Sequence, residues 1–152
     1  MLFTTLKFVH VVLAIVAIGY NASYGLLIAR ARAGGIDGRE MRFALGTVKF
    51  MDDYIANPCY ALLLVTGGAM VYLSGYPWTL KWIYLSLGLL ILAFAIAIVL
   101  YSPTLRREIE VLEANGPSDP EFLKLSSRGA ALGGVLGVIV IAIVALMVFK
   151  PQ

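Results

Sequence analysis

This sequence predicts an all-α polytopic membrane protein: four transmembrane helices in an antiparallel bundle with cytoplasmic helical extensions. Three observations carry that prediction. Apolar residues fill 61% of the 152 positions and charged residues only 14%, far from the near-half apolar, quarter-charged mix of soluble domains. Four stretches hold no charged residue, namely Phe8 to Ala29, Tyr54 to Leu80, Trp82 to Leu105 and Gly129 to Phe149. Each is near or above the roughly 20 residues that a helix needs to cross the hydrocarbon core. The basic residues, finally, gather in two of the connections between those stretches.

The spans fall at about 6–29, 56–76, 79–102 and 128–149 of a single domain. The first is too long and too weakly flanked by basic residues for a removed signal peptide, and is expected to be a retained helix. Arg30, Arg32, Arg39, Arg42 and Lys49 follow it, and Arg106, Arg107, Lys124 and Arg128 follow the third span, while only Lys7, Lys81 and Lys150 lie elsewhere. The positive-inside rule therefore predicts both long connections in the cytoplasm and both termini outside. Trp78 and Trp82 flank the short turn at Tyr76-Pro77-Trp78, where an interfacial aromatic belt belongs. That short turn makes the second and third spans neighbours.

Between Gly34-Gly35 and Pro58, the apolar positions Met41, Leu45, Val48, Met51 and Ile55 recur at helical spacing, with Arg39, Arg42, Lys49, Asp52 and Asp53 largely on other faces. This amphipathic helix either lies in the membrane interface or extends the second span into the cytoplasm, with Pro58 costing a backbone bond and kinking the junction. Pro103 to Asn115 reads as a further short helix, stopped by Asn115-Gly116-Pro117.

Few residues carry chemistry. The net charge of +3 follows the topology, and no basic stripe with interleaved aromatics supports nucleic-acid binding. Cys59 is the only cysteine, which excludes an internal disulfide and paired-thiol chemistry and leaves a small core residue. No phosphate loop, dinucleotide fingerprint or Cys/His metal spacing is present, and no catalytic set emerges.

His10 is the only histidine and lies inside the first charge-free stretch. It shares one helix stripe with Ala14, Ala17, Asn21 and Tyr24, and a stripe with that polar content must face protein. Counting about six residues from the outer end of the span gives a depth of roughly 9 Å. At that depth the second span places Met70 and the third places Tyr84 and Ser86. His10 and Met70 are thus candidate axial ligands of a haem b, while a histidine hydrogen-bonded to Tyr84, Ser86 or Tyr72 is the simpler reading, since Met is a routine core filler. Asn21 and Tyr24 either make interhelical hydrogen bonds or, with His10, line a polar path of roughly 21 Å. Gly129, Gly133 and Gly137 recur every four residues in the last span. They serve either close packing inside the bundle, the simpler reading, or a groove or subunit interface.

The order of several short motifs resembles a known family. Leu6-Lys7-Phe8-Val9-His10-Val11, Pro58 followed by Leu63-Leu64-Val65-Thr66-Gly67, Trp82, Ser118-Asp119-Pro120-Glu121-Phe122 and the closing Leu146-Met147-Val148-Phe149-Lys150-Pro151 are similar to the bacterial predicted integral membrane proteins grouped as domain of unknown function 2269. The resemblance covers essentially the whole chain and implies no activity. More distantly, a histidine in the first span and a Thr-Gly in the second are similar to short membrane-type protoporphyrinogen oxidases and copper-resistance membrane proteins. A single histidine falls short of a copper site, and neither activity is transferred.

Three readings follow. The chain is a non-enzymatic membrane or accessory protein, packing against lipid and a second copy or partner subunit; or a haem-binding redox protein with His10 as ligand; or a small transporter whose path runs through His10, Asn21 and Tyr24.

Overall fold

A computed structural model describes residues 1–33 and 38–151, so the Gly34-Gly35 boundary lies outside the described residues. The chain forms helix α1 (Leu2–Ala33), α2 (Arg39–Met51), α3 (Asn57–Ser74), α4 (Lys81–Ile96), α5 (Ser102–Asn115) and α6 (Pro120–Phe149). Two π-helical turns, Asp52–Ala56 and Ala97–Tyr101, join α2 to α3 and α4 to α5. Among the described residues there is no strand. The result is four long rods, each apolar and long enough to cross a membrane.

Of the two placements open for the amphipathic segment, the structure takes the extension: α2 runs on into α3 as one rod, and α4 runs on into α5 in the same way. The prolines explain how. Pro58 and Pro103 lack an N–H and crowd the carbonyl one turn back. The chain answers with a wider turn, in which Asn57 N–H reaches Asp52 O and Ser102 N–H reaches Ala97 O, five residues back in each case. Both π turns sit directly before an Asn-Pro or Ser-Pro pair, and such turns often mark functional positions in helices.

The ends are capped by local chemistry. Asp119 accepts from the N–H groups of Glu121 (2.7 Å) and Phe122 (3.2 Å), with Pro120 in the first turn of α6. Gly75 ends α3 at φ 68°, a left-handed conformation that favours glycine. At that end Lys150 lies 5.4 Å from the Trp82 ring centroid, and Tyr76 meets the same ring edge-on.

α1 packs chiefly along α3 and α4 along α6, whereas α3 and α4, though joined by the short turn, touch less. The larger core lies at the end carrying the long connections, where α2 and α5 complete the bundle. Leu45, Val48 and Leu112 are fully buried there against Tyr24, Tyr101 and Phe122. A second, smaller cluster of Ala17, Ala56, Cys59, Tyr60 and Leu63 seals α1 to α3. Arg32 on α1 donates to Ser126 on α6, and the Glu108 carboxyl of α5 lies near this pair. Burial pushes the Glu108 carboxyl up from its ordinary range, with Ser126 and Arg32 opposing.

Candidate functional site

The polar stripe of α1 can be followed turn by turn. His10 Nδ1 lies 2.7 Å from Thr66 Oγ1 on α3. The Thr66 hydroxyl has one proton and lies 2.8 Å from the carbonyl of Leu62 in its own helix, to which it donates. Its oxygen therefore accepts from His10, which places the imidazole proton on Nδ1 and leaves the Nε2 lone pair free in the neutral ring. Gly67 makes this approach possible, since a Cβ there would stand 3.2 Å from His10 Cε1.

The partner of His10 is thus Thr66 rather than Tyr72, Tyr84 or Ser86. α1 begins at Leu2, about two residues before the outer end the depth count assumed, and His10 sits opposite the Thr66–Gly67 turn. Met70 is one turn further along α3 and partly buried. Tyr84 is 48% exposed, and Ser86 is buried with no partner for its hydroxyl. The structure therefore does not bring His10, Tyr84 and Ser86 together by hydrogen bonds.

Further along the stripe, Ala17 is fully buried against Leu63 and Cys59, an apolar plug between His10 and the next polar pair. Asn21 Nδ2 then donates to the Tyr60 hydroxyl on α3. One turn beyond, Tyr24 is buried and its hydroxyl has no partner. The polar path is interrupted at Ala17, and His10 and Asn21 each fasten α1 to α3.

Below the plug lies a side chain that sequence reading placed on another face. Asp52 is 4% exposed, in the row Met41, Leu45, Val48, Asp52, whose spacings of four, three and four continue the buried face of α2. That row was the available signal, obscured by choosing Met51 as the next member. Asp52, Asn21, Tyr60 and Tyr101 line a cavity of ≈ 10 Å³ closed by Ala93, Phe94, Ala97, Leu136 and Val140. Asp52 and Tyr101 come from the two opposed π turns. Within hydrogen-bonding range the carboxylate has the Asn57 amide at 3.3 Å, while Lys49, one turn back, bonds Asp53. Asp52 precedes the charge-free stretch of its rod, and its carboxyl is pushed up to about 6, first by burial and then by Asp53, with Lys49 and Asn57 opposing.

The glycine row of α6 is only partly used. A Cβ added at Gly129 would stand 3.4 Å from Glu108 Oε2, but at Gly133, Gly134 and Gly137 it would meet no atom within 4 Å. The packing row is instead Leu132, Leu136, Ile139 and Val140.

Four rods, each long and apolar enough to cross a membrane, define a four-span α-helical integral membrane protein. The family described as predicted integral membrane protein, DUF2269, matches residues 4–151, and this chain belongs to that family. No curated protein and no solved structure matches it.

Proposed function

We propose that this chain is a non-enzymatic membrane subunit of the bacterial cytoplasmic membrane, with both termini outside, that works through its lipid-facing surface by pairing with a second copy of itself. The open glycine row carries this reading. Gly133, Gly134 and Gly137 present bare backbone to the outside of the bundle, and membrane helices associate where small residues let two backbones approach. A two-fold axis through such a row makes it self-complementary. Inside, by contrast, the polar groups of α1 at His10 and Asn21 are taken up by α3. Gly133→Leu is expected to convert a dimer to a monomer in detergent light scattering and in cross-linking within native membranes. A wild-type protein that is monomeric in both measurements would remove this reading.

A second reading has its own observation. The Nδ1–H of His10 is held by Thr66, the arrangement that orients an imidazole whose Nε2 ligates a metal or a haem iron. His10 fits as one axial ligand. The second ligand would be Met70, one turn from Thr66 on the adjoining helix, or the His10 of another copy. Haem would supply one-electron chemistry, while Thr66 would keep the ring oriented and the proton on Nδ1. A Soret band in protein purified from haem-replete cells, lost in His10→Ala, is the expected result on this reading; a colourless preparation excludes it.

A further inference from the structure

The Asp52 carboxylate is an interior charge with one long hydrogen bond. Leaving such a group ionised without a counter-charge is costly, and the nearest cation, Lys49, bonds Asp53 instead. The elements around it offer oxygens but no positive side chain. α1 contributes the Asn21 carbonyl oxygen, whose amide nitrogen is already engaged, α3 the Tyr60 hydroxyl and the second π turn the Tyr101 hydroxyl; α4 and α6 contribute only apolar walls. Tyr24 is close enough to interact electrostatically with Asp52, and its buried hydroxyl has no partner.

We propose that Asp52, Asn21, Tyr60 and Tyr101 form a binding site for one monovalent alkali cation, seated between the two π turns. The donor set is all oxygen, which suits a hard cation. One carboxylate balances one positive charge, and among the described residues no three His, Cys, Asp or Glu side chains converge as a divalent site would favour. The cavity of ≈ 10 Å³ holds about one water-sized occupant. The two π turns frame the site: Asp52 opens the first, Tyr101 closes the second, and both line the cavity. This site is independent of pairing through α6.

The groups that face the carboxylate are Lys49 and Asp53 on its own rod, Tyr24 on α1, Tyr60 on α3 and Tyr101 on the second π turn.

The full chain in detergent is melted in NaCl, KCl, LiCl or choline chloride at equal ionic strength. At pH 8 at least one alkali cation is expected to raise the melting temperature saturably by about 4 °C over choline. Asp52→Asn is expected to melt identically in all four salts. Tyr101→Phe, which keeps the carboxylate, is expected to need about tenfold more cation for half-saturation. Alkali cations indistinguishable from choline at pH 8 overturn the site, as does an unchanged response in Asp52→Asn. Should Asp52→Asn not fold, an unchanged half-saturation in both Tyr101→Phe and Asn21→Leu overturns it equally.

Discussion

Leu45→Ala is expected to destabilise the protein by about 3 kcal/mol, in the middle of the range for fully buried leucines, and to lower its melting temperature by roughly 9 °C. Leu45 is fully buried among Met41, Val48 and Leu112, in the part of the bundle formed by α2 and α5, outside the charge-free stretches. Truncation there loses transfer energy and leaves a cavity. Leu92 is the informative contrast. It is 49% exposed on α4 within a charge-free stretch, and lipid tails are as apolar as the side chain they replace. Leu92→Ala is therefore expected to cost well under about 1 kcal/mol. Equal losses in the two variants, followed by reversible unfolding in mixed micelles, would show that α2 and α5 do not form a packed core.

Gly67→Leu is expected to cost about 2 kcal/mol, as overpacking of a close contact does, and to break the hydrogen bond between His10 and Thr66. A Cβ alone at this position would meet His10 Cε1 at 3.2 Å, and the remaining leucine atoms would have to push α1 away from α3. Gly68 has no atom within 4 Å of its Cβ position, so Gly68→Leu should change stability by less than about 0.5 kcal/mol. The His10 ring reports the difference directly: its Nδ1 proton, held by Thr66 in the wild type, should become exchangeable on the NMR timescale in Gly67→Leu and stay protected in Gly68→Leu. A protected proton in both variants would mean that Gly67 is not what admits the ring.

Much of the fold was legible before any coordinates. The helix at Arg39 to Met51 announced itself through Met41, Leu45 and Val48, because a helix against a core needs an apolar face at intervals of three and four. The last span was read at about 128–149, whereas α6 begins at Pro120, where Asp119 satisfies N–H groups that the helix leaves open. The stripe through His10, Asn21 and Tyr24 was recognisable as a face because lipid offers polar groups no partner. Asp52 was missed because the row through Met41 and Leu45 continues onto it only if the helix is followed into the π turn, and the widened turn is a response to Pro58 rather than a pattern of its own. The glycine row was visible, but whether it faced inward depended on how α6 is rotated against α4, which Leu136 and Val140 decide.

The sequence by itself determined four apolar spans and the membrane as solvent, because charge and backbone hydrogen bonding in hydrocarbon leave a chain of this composition few alternatives. Only the tertiary structure decided which polar group meets which: Thr66 for His10, Tyr60 for Asn21, and Asp52 turned in beside Tyr60 and Tyr101. Local periodicity sets the face of one helix, whereas the rotation and axial offset of its neighbour are set by the summed packing of all four rods. A difference of one turn, 5.4 Å along the axis, is enough to exchange Met70 for Thr66 as the neighbour of the single histidine.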